Sequence, residues 1–179
     1  MNGPPGDGSD AARDHAYRTP LGDPDPVANA AFWQRYLETI DDADDDRPVP
    51  PSWCFGDSVE LADELIELVL LGPKRATAGA VAEYDADGDP IPEVGDQAIV
   101  TDGSMRPRLV FETTEVRVGP LSSVDEQFAW DEGEGDRTRD WWLDAHTWYF
   151  RRAFARLGLE FHPDIPVVFE RFTVRYQES

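Results

Sequence analysis

"GDSVELADELIELVLLGPKRATAG", residues 56–79, carries a helix, its stop signal and the start of a strand in one uninterrupted run. Leu61, Leu65, Leu68 and Val69 recur at helical spacing and make one apolar face. Asp57 is placed to cap the helix, with Glu60 three residues on as its reciprocal partner. Gly72 and Pro73 end it, because glycine accepts a left-handed C-cap and proline cannot continue the hydrogen-bond ladder. The next stretch, "RATAGAVAEY", is a small-residue, strand-like run. A capped helix that hands over directly to a strand predicts a mixed α and β domain.

The elements on either side fit that reading. Upstream, "ANAAFWQRYLETI" places Ala31, Phe32, Tyr36, Leu37 and Ile40 at helical spacing. An acidic, proline-ending linker, "DDADDDRPVPPS", separates it from the capped helix. Downstream, "DADGDPIPEVGD" is turn-rich. Asp85, Asp87 and Asp89 alternate as at the start of a calcium loop, but Pro90 stands where that loop needs glycine, so a plain acidic turn is expected. "QAIVTD", the reversal "GSMRP" and "RLVFETTEVRV" predict a β-hairpin. A carboxylate- and glycine-rich segment, "LSSVDEQFAWDEGEGDR", leads into a long helix from Thr138 to Gly158. Trp142, Ala145, Tyr149 and Ala153 share one face of it, widened by Trp141, Trp148 and Phe154, a stripe that marks burial. "IPVVFERFTVRY" closes the chain as a strand. The order of elements predicts an α+β domain with helices outside a small barrel or curled sheet.

Composition narrows the function classes. The chain of 179 residues suits one core-bearing domain, with residues 1–26 expected as a disordered polar tail, 27–47 as a helix plus linker, and 48–179 as the domain proper. A net charge of −21 repels phosphates over most of the surface, so any nucleic-acid partner must meet a local basic patch. Cys54 is the only cysteine, which excludes an internal disulfide framework and suits a reducing cytoplasm. No apolar stretch reaches the roughly 18 residues of a membrane helix.

Lys74 is the only lysine; the other basic residues are arginines. An amine gives up its proton at moderate pH when it is desolvated or crowded by another cation, whereas a guanidinium does not. With Thr77 three residues on, Lys74 has the spacing to take the proton of a threonine nucleophile, and neighbouring Arg75 is expected to depress its pKa. A carboxylate partner is also needed, and "DEGEGD" offers several. No Ser-His-Asp or Cys-His set is visible, and zinc-type ligand spacing is absent, so no metal or cofactor is expected. His146 is expected as a satisfied core or helix-face histidine.

Four ordered motifs, "FGDS-ELADEL-ELVL-G-KRATA", "VGDQAIVTDG--RP--VFETTEV", "VDEQFA--EGEGDR" and "ERFTV-Y", together resemble the ASCH domain family of the PUA-like folds, over residues 53–176. The resemblance implies a small β-barrel flanked by helices, a cleft between them, and an association with RNA. Some members resemble ribonucleases; a small bacterial branch removes the acetyl group from 4-acetylcytidine using a lysine, a threonine three residues later and a glutamate. The matching positions here are Lys74, Thr77 and Glu132, with Asp131 and Glu134 as close competitors for the last. Arg75, Tyr84, Glu134 and Arg171 are the candidate substrate-binding residues. The expected function is hydrolysis of an acylated cytosine nucleoside. The alternative is an RNA-binding module or ribonuclease that uses Lys74 and Arg75 with Arg137, Arg139, Arg171 or Arg175 as a phosphate-facing patch and Tyr84 or a tryptophan to stack a base.

Overall fold

The computed structural model describes residues 10–17, 19–40 and 47–178. Two long strands form its spine. β4 (Pro107–Pro120) and β5 (Pro166–Gln177) pair antiparallel, with register shifts at Val110/Phe111 and Thr113/Glu115. Such irregularities bend strands and increase their twist. β3 (Gln97–Thr101) joins β4 as the expected hairpin, and short β1 (Ser52–Trp53) lies parallel to β3 at one edge. β2 (Ala76–Ala80) pairs antiparallel with β5 at the other edge, giving the order β1-β3-β4-β5-β2. The edge strands β1 and β2 do not pair with each other, so the sheet is curled rather than closed.

Strand alternation sorts side chains to two faces. Ala76 and Ala80 of β2 join Val167 and Phe169 of β5 in one cluster, sealed by Phe128 of α5 (Glu126–Glu132) and by Trp142, Phe150 and Phe154 of α6 (Arg139–Leu157). Val110 and Ile99 are covered by Phe32, Trp33 and Leu37 of α2 (Pro26–Leu37). The opposite face carries Ala98, Val100, Leu109, Phe111 and Phe172, packed on Leu65, Ile66 and Val69 of α3 (Val59–Leu71). Burying each such aliphatic side chain stabilises by roughly 1.5–3 kcal/mol, more than any cap or propensity term along α3. Thr77 of β2 and Glu170 of β5 are partners across the ladder and so share a face of the sheet.

Three local expectations are corrected. The cap of α3 is Ser58, whose hydroxyl accepts from the Leu61 amide, and not Asp57. Asp57 is drawn away to Arg152, at 3.1 Å, and to Arg156. The strand-like run past Ala80 turns into a helix, α4 (Val81–Asp87), because the Glu83 carboxylate accepts from the Ala80 amide at 3.1 Å and Gly88 ends it in the left-handed region. Asp85 and Asp87 therefore sit on a helix.

The expected disordered tail is also not what its described part forms. Asp10–Ala16 is a helix, α1, anchored on the domain. Arg13 bonds Asp144 at 2.7 Å, the Trp148 indole donates to Asp14 at 3.0 Å, and buried Tyr17 donates to Glu64 at 2.9 Å. Two large side chains with polar tips hold what a Gly/Pro/Asp-rich composition alone leaves loose. Residues 1–9 and the acidic run 41–46 lie outside the described residues.

Candidate active site

Two glycine motifs bring the site together. Gly72 closes α3 at φ 117°, and the main chain then runs straight through Pro73 and Lys74 into β2. Against that segment lies the loop after α5. Gly133 has φ 74°, and a Cβ there would meet the Pro73 carbonyl carbon at 2.7 Å and the Lys74 amide nitrogen at 2.8 Å. Only glycine permits this backbone-on-backbone approach. The Arg75 amide donates to the Asp131 carbonyl at 2.7 Å, fastening the two segments together. Gly135 repeats the device against the Trp141 ring, where a Cβ would stand 2.1 Å from a ring carbon.

This docking places Glu132 and Glu134 on either side of Lys74. Its Nζ lies 2.5 Å from Glu134 Oε1 and 3.6 Å from Glu132 Oε1, and 5.2 Å from the centre of the Phe55 ring. Lys74 and Glu132 are each 1% exposed. Glu132 has two further partners. The Trp142 indole N–H donates to its Oε2, and His146 Nε2 stands 3.4 Å from the same oxygen. The His146 ring stacks on Trp142, with centroids 3.7 Å apart, and its Nδ1 lies 3.0 Å from the Trp142 carbonyl, which the N–H tautomer or the imidazolium satisfies by donating.

The electrostatics of this cluster are consistent from every side. Burial alone pushes the Lys74 pKa down, but Glu134 and Glu132 override it and hold the ammonium above its ordinary value. Burial pushes the Glu132 carboxyl up, and Lys74 with His146 override that and hold it below. His146 is raised: burial disfavours its charge, and Glu132 more than compensates. The expectation of a neutral Lys74 depressed by Arg75 is thus corrected for the resting protein. Arg75 points away, donating to the carbonyls of Val69 at 3.1 Å and Lys74 at 2.5 Å.

The cluster opens into a cavity of about 1160 Å³ between the sheet, α3, α6 and α1. Lys74, Thr77, Glu132, Glu134 and Tyr84 all line it; Arg75 and Arg171 do not. Arg171 is spent on Asp131 at 3.0 Å and Glu115 at 2.8 Å. The remaining cations of the suggested phosphate patch are likewise engaged. Arg137 donates to the Trp130 carbonyl, Arg139 to those of Val124 and Ser122, and Arg175 lies 3.5 Å from Glu112. Aromatic rings of Trp53, Phe55, Tyr84, Trp141 and Trp148 contribute to the walls, so planar apolar faces alternate with carboxylates.

Four contributors were not assigned to the site from the sequence. His146 has no local signal beyond its place on the long helix. Glu170, 4% exposed, stands on the sheet face of the cavity and accepts from Thr113 Oγ1 at 2.5 Å. Arg13 and Tyr17 line the cavity from the segment expected to be a tail. Among the described residues no grouping of His, Cys, Asp and Glu suits a metal ion, and no helix is long and apolar enough to cross a membrane. Burial pushes the Cys54 thiol up to about 11, away from reactivity.

Comparisons with known proteins place these features in context. The sequence model of the ASCH domain matches residues 51–176. A crystal structure of a protein from Enterococcus faecalis V583 is similar at 32% identity and a TM-score of 0.73, covering 83% of this chain and 88% of that one. A crystal structure of an ASCH domain from Lactobacillus crispatus JV V101 is similar at 30% identity and a TM-score of 0.76, covering 90% of this chain and 99% of that one. No curated protein matches the chain.

Proposed function

The chain belongs to the ASCH domain family, and from that footing we propose that it is an amidohydrolase acting on the acylated exocyclic amine of a cytosine nucleoside. The observation that carries the reading is the meeting of Lys74, Thr77 and Glu132 on one aromatic-walled cavity, with the amine buried among carboxylates. The cavity is roomier than a small ligand needs and apolar along much of its wall, which favours a neutral, planar ligand over a polyanion. Its carboxylates repel phosphates, and the arginines of the alternative RNA-facing patch are already occupied by carbonyls and acids.

The proposed chemistry starts from the resting ion pair. A nucleoside entering the cavity displaces water, and in a drier site a neutral amine facing a neutral acid becomes less costly relative to two buried ions. Lys74 hands a proton to Glu134 across their 2.5 Å contact and becomes a base. It takes the Thr77 hydroxyl proton as Oγ1 bonds to the acyl carbon, forming a tetrahedral intermediate. The C–N bond then breaks, with a proton passing from the carboxyl pair to the departing amine. Glu132, fixed by the Trp142 indole and His146, orients that amine. Water, deprotonated by the same relay, attacks the acyl-threonine ester; the carboxylic acid leaves and the Thr77 hydroxyl is restored.

The test is an assay of the pure protein on 4-acetylcytidine and, in parallel, on single-stranded RNA. Deacetylation is expected from the parent. Lys74→Arg keeps a cation but cannot supply a base, so a loss of about a hundredfold or more in rate is expected. Thr77→Ser keeps partial activity and Thr77→Ala loses it. A Lys74→Arg protein that is folded by circular dichroism and works at the parental rate removes the lysine from the mechanism. RNA cleavage without deacetylation favours the ribonuclease instead.

A further inference from the structure

Glu170 is a buried acid that the Lys74 cluster does not use. It is the Cα partner of Thr77 across the β2–β5 ladder. Residues directly opposite in an antiparallel pair point to the same face with their Cβ atoms about 5 Å apart. Both side chains line the cavity, so the acid stands beside the candidate nucleophile. Its hydrogen-bond partner is Thr113, which donates to Oε1. Among the described residues no cation pairs with it, and the charged neighbour that acts on its carboxyl is another acid, Asp96. Tyr84 stands close by on the same wall, its ring against the Gly79 backbone, where a Cβ would meet the ring at 3.1 Å.

An unpaired carboxylate in such a place costs several kcal/mol, whereas a neutral carboxylic acid costs far less and carries one donor and one acceptor. Burial pushes this carboxyl up, in keeping with that form. A donor-acceptor pair on one planar group matches the edge of an acylated cytosine, where the ring nitrogen accepts and the exocyclic N–H donates. Two such bonds align the base and, since Thr77 is the neighbour, deliver the acyl carbonyl to its hydroxyl.

We propose that Glu170 is the specificity-determining residue of this site, reading the ring-nitrogen and exocyclic N–H edge of a cytosine base and setting the acyl group beside Thr77. The inference rests on the amidohydrolase reading for its substrate class. Glu170→Gln presents the same donor and acceptor without a charge; Glu170→Ala presents neither. With 4-acetylcytidine as substrate, Glu170→Ala is expected to raise KM by about ten- to a hundredfold, the size of a lost bidentate base contact, with a smaller change in kcat. Glu170→Gln is expected to recover most of that loss. Cytidine binding, followed by quenching of tryptophan fluorescence, should weaken in the same order. A merely structural acid would lower the thermal midpoint in both variants and leave KM and cytidine affinity alone. That result, or a Gln variant as impaired as Ala, overturns the proposal. A parent that binds cytidine through Glu170 but does not deacetylate sinks the amidohydrolase reading while sparing this one. A parent that neither deacetylates 4-acetylcytidine nor binds cytidine sinks both.

Discussion

His146 shows how one side chain is tuned by a partner on the preceding helix. Burial disfavours its charge, yet Glu132, 3.4 Å away, holds its pKa above the ordinary value. The consequence has a sign. A group raised on folding stabilises fully below its unfolded pKa of about 6.5, and that contribution fades as pH rises through the folded value. Glu132 is lowered on folding, so its own contribution is present above about pH 4.3 and is lost in acid as pH falls through the folded value. The parent's advantage over His146→Gln should therefore be greatest between mildly acidic and neutral pH. It should shrink as pH rises toward the alkaline side. Urea unfolding across that range measures it, and an advantage independent of pH would refute the ion pair. Lys74 and Thr77 stand out as candidates because a lone lysine and a three-residue spacing are local facts, and both line the cavity. The charge state of Lys74 was not legible in the sequence, because Glu132 and Glu134 reach it only through the docking of a distant loop.

The elements were legible where periodicity was strong and blurred where a tertiary partner chose between equals. The apolar spacing in α3, the hairpin of β3 and β4, and the Thr138 and Gly158 limits of α6 all follow from local pattern. Asp57 and Ser58 are adjacent and both good caps, and the arginines of α6 decided between them by claiming Asp57. A cap worth about 1 kcal/mol should be lost in Ser58→Ala, which ought to lower stability by that amount in urea while leaving the proposed deacetylation unchanged. No loss would mean that Asp57 swings back to serve as the cap. The short helix α4 also had a local signal: Glu83 stands three residues after Ala80, and Gly88 comes after the last turn. The small residues of that run suggest a strand and mask the signal, although alanine is the better helix former.

At the scale of the whole molecule, the N-terminal helix decides how enclosed the cavity is. It lies outside the segment matched by the family, yet Arg13 and Tyr17 form part of the wall. Removing residues 1–17 takes away the bonds to Asp144, Glu64 and Trp148 together and exposes the cavity's side. The thermal midpoint should fall by several degrees, as expected for a loss of about 1–2 kcal/mol in a domain of this size, and in the proposed deacetylation KM should rise more than kcat falls. A truncated protein with parental midpoint and KM would show that α1 is merely resting on the surface. Charge and composition alone could not reveal this anchoring, because a few individual side chains supply it. The antiparallel register of Thr77 with Glu170 has a last consequence, in time rather than in space. The β3–β4 hairpin closes a short loop and can form early, whereas β2 must find β5 across most of the domain's length, which carries a greater entropic cost. The hydroxyl and the acid come within reach only when that edge strand is zipped into place. The same pairing that carries Ala76 and Ala80 into the core sets the hydroxyl beside the acid, so core and candidate site are completed in a single step.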